Sequence, residues 1–196
     1  MAAPPTRIMI IRHGEKPPKH PDQTSPIDVQ EDGQPGNGKS LIIPGWQRAG
    51  ALNAFFAPYG SPPANPKISK PDYIYAASPR AESQRPSETV TPLAAWLGYQ
   101  QGSERFNITY SIGSQEAQMV AGVLALNGTV LICWEHHNIM PNIMGAIDNQ
   151  IPITNYASIP QAFPDVFYLV WVLDLKGGKY TWSSVNQNLM AGDVHP

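Results

Sequence analysis

The chain has 196 residues, 42% hydrophobic and only 14% charged, with 13 Lys+Arg against 15 Asp+Glu for a formal net charge of −2. That length suits one domain with a substantial core. The apolar content excludes a disordered chain, and the missing basic excess argues against a nucleic-acid or anionic-membrane binder.

A single cysteine, Cys133, excludes an intrachain disulfide framework and a multi-cysteine zinc site. No stretch reaches the ~18–20 apolar residues that cross a bilayer. The first residues lack the apolar core and cleavage site of a signal peptide, so the expected compartment is the cytoplasm.

Ile8-Met9-Ile10-Ile11 is an uninterrupted, largely β-branched run, the pattern of a strand buried on both faces, and it stops at Arg12-His13-Gly14-Glu15. From Lys16 to Pro44 the chain is rich in Pro, Gly, Asp and Gln, which reads as a long surface excursion of the kind that shapes a site. Trp46, Ala49, Leu52 and Phe55/Phe56 then fall at helical spacing between Gly45 and Ala57, closed by Pro58. A second Pro-rich linker runs to Pro71.

Tyr73 to Ala77 reads as a second buried strand. Ser87 to Leu97 reads as a helix capped by Ser87, kinked at Pro92 and ended by Gly98. Gln115 to Leu126 is a helix closed by Asn127-Gly128, and Thr129 to Trp134 is a third buried strand ending at Glu135-His136-His137. Asn138 to Ile147 forms a short helix containing Pro141. Val166 to Leu175 and Lys179 to Val185, joined through Gly177-Gly178, form a terminal hairpin. Strands alternating with helices predict one α/β domain over residues 1–196, with a mainly parallel sheet between helical layers and an antiparallel strand from the hairpin.

Gly33-Gln34-Pro35-Gly36-Asn37-Gly38-Lys39-Ser40 matches the phosphate-loop pattern to the letter. That pattern binds phosphate only where a strand enters and a helix leaves the loop. Residues 28–32 are polar, and Leu41-Ile42-Ile43-Pro44 is not expected to start a helix, because proline disfavours helical geometry just before itself. The match is read as chance.

Chemistry gathers instead at three strand ends. Arg12-His13 follows the first strand, Arg80 and Arg85 follow the second, and His136-His137 follow the third. Ligands of open α/β sheets bind outside the carboxyl ends of parallel strands. These junctions would therefore bring guanidiniums and imidazoles into one cleft, and guanidinium forks match the oxygens of a phosphate.

These residues carry a resemblance to a family. Arg12-His13-Gly14-Glu15 after an N-terminal strand resembles the signature of the histidine phosphatase superfamily, which includes phosphoglycerate mutases. Gly45-Trp46-Gln47-Arg48-Ala49 is similar to the helix that follows in that family. Arg85-Pro86-Ser87-Glu88-Thr89 with Pro92-Leu93-Ala94 resembles its second-arginine segment, and Leu131 to His136 resembles the strand ending in its second histidine.

The resemblance implies a phosphoglycerate-mutase-like three-layer α/β/α sandwich and a phosphomonoesterase working through phospho-His13. Its substrate would be a small-molecule or peptide phosphomonoester, and its chemistry needs no metal and no cofactor. Arg12, Arg85 and His136 would hold the phosphoryl oxygens, with Arg80 as a rival or additional clamp, and Gly14, Glu15 and Glu135 would border the substrate. His137 ranks first as proton donor, ahead of Glu15 and Glu135, with Glu88 and Glu116 also open. Two alternatives stand beside hydrolysis: a mutase-type phosphotransferase, and an inactive phospho-ligand binding or regulatory protein.

Overall fold

A computed structural model describes residues 3–20, 22, 24–36, 38–79 and 83–193. Its centre is a six-stranded mixed sheet of β1 (Arg7–Arg12), β4 (Tyr73–Ala76), β5 (Phe106–Asn107), β6 (Thr129–Trp134), β7 (Leu169–Lys176) and β8 (Lys179–Asn186), in the order β5-β4-β6-β1-β7-β8. The first four of that order run parallel, while β7 is antiparallel to β1 and β8 to β7. The expected α/β architecture is what the chain adopts.

Successive side chains of a strand point to opposite faces, and β1 divides its apolar run accordingly. Ile8 and Ile10 join a core with Val130, Ile132 and Trp134 of β6, roofed by α3 (Glu116–Leu124) and α5 (Gly145–Gln150). Met9 and Ile11 join Leu131 and Cys133 in a second core under α1 (Ile43–Phe56) and α2 (Arg85–Trp96). All four β1 side chains are fully buried, each stabilising the fold by roughly 1.5–3 kcal/mol relative to an exposed state. A helical layer on each face of one sheet is the three-layer arrangement expected.

Local boundaries differ from expectation in informative ways. The helix α1 begins at Ile43, ahead of Pro44, which sits in its first turn. There the missing N–H costs nothing, because first-turn donors lack intrahelical partners anyway. Likewise α2 begins at Arg85 with Pro86 in its first turn, so Ser87 is not a cap but an internal residue donating to the Gln84 carbonyl at 2.8 Å. Pro92 lies inside α2 without ending it.

The excursion from Lys16 holds a small hairpin of β2 (Asp28–Val29) and β3 (Leu41–Ile42). Ser40 of the phosphate-loop match leads into β3 and not into a helix. After β6 the chain makes a three-residue turn, α4 (His136–Asn138), then a π-helical stretch over Ile139–Met144 that accommodates Pro141 before α5. The hairpin between β7 and β8 turns on Gly177 and Gly178, with φ of 59° and 77°, a left-handed pair that glycine adopts without a Cβ clash. Among the described residues, no helix is long and apolar enough to cross a membrane.

Candidate active site

Register places the site. Arg12 pairs with Trp134 and Ala76 with Cys133, so β1, β6 and β4, neighbours in the sheet, end at the same edge. The His13 backbone N–H donates to the Trp134 carbonyl at 3.2 Å, extending the ladder one residue past β1. Residues 12–13 and 135–136 therefore emerge side by side, and α2 brings Arg85 to them from the next junction.

His13 is 2% exposed. Its Nδ1 lies 2.7 Å from the Gly14 carbonyl oxygen, which can only accept, so Nδ1 carries the proton and Nε2 presents a lone pair. Burial, reinforced by the charges of Arg12, Arg85 and Lys16 and only partly offset by the Gly14 hydrogen bond, lowers its pKa to about 3. The ring is neutral at physiological pH. Gly14 itself is spent on scaffolding: its N–H donates to Thr89 Oγ1 at 2.8 Å, and that hydroxyl donates to the Arg85 carbonyl at 2.7 Å. One threonine thereby ties the His13 turn to the start of α2.

Arg12 is fully buried, with its guanidinium carbon 4.3 Å from the centre of the Phe167 ring and Nη1 donating to Asp165 Oδ1. The same carboxylate oxygen lies 3.8 Å from His136 Nε2. The guanidinium, imidazole and carboxylate thus face one another, and Arg12 holds the Asp165 carboxyl below the usual range. Arg85 donates Nε to the Ser40 carbonyl at 3.1 Å and Nη2 to that of Gly38, which ties these two residues to the start of α2. Burial, followed by the positive charges of Arg12 and Arg85, lowers the pKa of Lys16.

His136 is buried, and burial followed by the charge of Arg12 lowers its pKa to about 4. Glu135 Oε1 lies 3.0 Å from its Nδ1, while Oε2 accepts from the His137 N–H at 3.0 Å and Asn138 Nδ2 at 2.9 Å, capping the short α4 turn. The His137 ring is 79% exposed and packs on His136 with centroids 3.8 Å apart.

Arg12, His13, Arg85, His136 and Glu135 are thus brought together, with His137 at the rim. Glu15 is drawn away: its carboxylate binds Arg48 at 2.7 and 2.9 Å, in a buried network with Asp193 and Gln187. Glu88 accepts from the Leu41 N–H and Glu116 from Trp134 Nε1, which commits both to scaffolding. Arg80 lies outside the described residues.

Asp165 and Phe167 did not stand out in the sequence. The signal for them is topological: Ile11 of β1 pairs with Val170 of β7, so the segment that enters an antiparallel neighbour is delivered to the edge where β1 ends. A concavity of about 780 Å³ beside Tyr59, Ile68 and Trp96 lies at the C-terminal ends of α1 and α2 and shares no residue with this cluster.

No family profile matches the chain, and no curated protein matches it. A solved structure described as the "putative phosphohistidine phosphatase SixA from Agrobacterium tumefaciens" matches at 16% identity and a TM-score of 0.48, over 93% of this chain and 97% of that one.

Proposed function

We propose that the protein is a metal-independent phosphatase that hydrolyses phosphomonoesters through a phosphohistidine on His13. The observation that carries this reading is a buried, neutral imidazole whose tautomer is fixed with Nε2 unprotonated and which feels the positive charges of Arg12, Arg85 and Lys16. An imidazole is nucleophilic only when unprotonated, and a covalent intermediate divides a difficult transfer into two easier ones.

In the first step His13 Nε2 forms a bond to phosphorus, the ester P–O bond breaks, and its electron pair leaves with the alkoxide. Arg12, Arg85 and the Nε2 side of His136 stabilise the charge on the equatorial oxygens. The leaving oxygen takes a proton from His137, whose exposed ring makes no side-chain hydrogen bond among the described residues. The carboxylates of Glu15, Glu88 and Glu116 are engaged elsewhere. In the second step water attacks phosphorus and gives a proton back to His137, the P–N bond breaks with its electron pair returning to His13 Nε2, and inorganic phosphate leaves with both histidines restored.

The test is hydrolysis of para-nitrophenyl phosphate together with trapping of the chain, labelled from radioactive substrate, in an alkaline detergent quench that preserves a phosphohistidine. His13→Ala is expected to lose roughly 10³-fold or more in kcat/KM and all acid-labile label. Turnover surviving in that variant removes His13 from its role.

A further inference from the structure

We propose that Glu135, His136 and His137 form a binding site for a divalent cation of the Zn²⁺ class, through Glu135 Oε1, His136 Nδ1 and His137 Nε2. This site goes beyond the phosphatase reading and uses the side of His136 that faces away from the phosphoryl pocket.

Four observations carry it. These three consecutive residues offer ligand atoms that all lie within 4.8 Å of one another. Glu135 Oε1 is 3.0 Å from His136 Nδ1 and 3.8 Å from His137 Nε2, and ligands in a tetrahedral zinc site, with bonds of ~2.0–2.1 Å, stand about 3.3 Å apart. The other carboxylate oxygen caps α4, so the carboxylate is already oriented and presents one oxygen.

The fourth observation is an orphan. His136 Nδ1 is buried and makes no hydrogen bond, even with Glu135 Oε1 so close, because the two are misaligned. Native proteins seldom leave a buried ring nitrogen in that state. A cation seated between them takes the Nδ1 lone pair and the carboxylate oxygen together.

The donor set selects the ion class. Two imidazoles and one carboxylate suit Zn²⁺, Cu²⁺ or Ni²⁺ better than Mg²⁺ or Ca²⁺, which favour all-oxygen shells. The His137 ring, packed on His136, already presents Nε2 at 3.8 Å from Glu135 Oε1, and its exposed side leaves the fourth position to solvent. Binding at Nδ1 fixes the proton of His136 on Nε2, the nitrogen 3.8 Å from Asp165. It also withdraws His137 from proton transfer, so cation binding and acid catalysis exclude each other.

The test titrates chelator-stripped protein with Zn²⁺ against a chromophoric chelator and with Co²⁺ by visible absorption, in both the wild-type and His13→Ala chains. The His13→Ala background keeps the answer independent of phosphoryl transfer. One Zn²⁺ per chain with a micromolar or tighter Kd, and a Co²⁺ band of four-coordinate intensity, are expected in both. His137→Ala and Glu135→Gln should each weaken binding roughly tenfold or more at unchanged circular dichroism, while His20→Ala leaves it unchanged. Absence of binding up to about 100 μM Zn²⁺, or binding indifferent to His137→Ala and Glu135→Gln, overturns the site.

Discussion

Arg12 and Asp165 are paired across 153 positions of sequence, a fully buried guanidinium donating to a carboxylate whose side chain is 82% exposed. The carboxylate oxygen also faces His136 Nε2, so Asp165 stands where the phosphatase reading places a phosphoryl oxygen. An anion entering the pocket must displace it. Asp165→Asn keeps the shape and removes the charge, and is expected to lower the inhibition constant of vanadate or inorganic phosphate by about three- to fivefold. That is the scale of an ion pair open to solvent on one side. Inhibition constants measured in para-nitrophenyl phosphate turnover check it, and an unchanged value places the anion elsewhere.

Acid should weaken the fold through its two buried histidines. His13 and His136 have pKa values lowered from 6.5 to about 3 and about 4. Between those values and 6.5 the unfolded chain binds protons that the native chain does not, so stability rises with pH and is lost as pH falls through that window. Between pH 6.5 and 4, His13 alone accounts for about 3 kcal/mol of that loss. Urea midpoints across this range should fall less steeply for His13→Gln than for the wild type. An identical slope means that His13 is protonated in the native state.

Arg48 holds the turn after His13 from behind. Its guanidinium binds Glu15 at 2.7 Å and Asp193 at 2.6 Å, and donates to Gln187 at 3.0 Å, with its side chain only 3% exposed. Removing one partner of a buried pair strands the others, at a cost of about 3–5 kcal/mol. Arg48→Met should therefore lower the thermal midpoint sharply, checked by calorimetry. Arg48→Lys is expected to recover only part of the loss, because a point charge cannot serve two carboxylates bidentately.

What the sequence made legible is what local pattern encodes. The runs of β1 and β6 announce themselves because strands buried on both faces need unbroken apolar residues, and the β7–β8 turn does so because Gly177 and Gly178 take left-handed geometry. The two residues of β5 carry no period at all. The starts of α1 and α2 escape because proline in a first turn reads as a breaker when it is an initiator. Arg12, His13 and His136 share an edge because three parallel strands end there. Asp165 reaches the same edge only because β7 runs antiparallel to β1, and the tie between Arg48 and Asp193 spans 145 positions. No local pattern carries either relationship.

Gly45 is where α1 presses on the His13–Glu15 turn. A Cβ built there would lie 2.5 Å from the Glu15 carbonyl oxygen, 3.0 Å from its nitrogen and 3.1 Å from Leu41 Cβ. Backbone, unlike the end of a flexible side chain, has nowhere to go, so either α1 shifts outward or residues 13–15 move toward the pocket. Overpacking of this kind costs about 1–3 kcal/mol. The displaced turn also carries the Gly14 carbonyl that fixes the His13 tautomer. Gly45→Ala should therefore lower the thermal midpoint and reduce kcat more than it raises KM, since positioning of the nucleophile is lost while Arg12 and Arg85 remain. Gly50→Ala, in the same helix with open space at its Cβ, should be neutral or slightly stabilising. If both glycines tolerate alanine equally in steady-state kinetics and calorimetry, α1 does not buttress the turn.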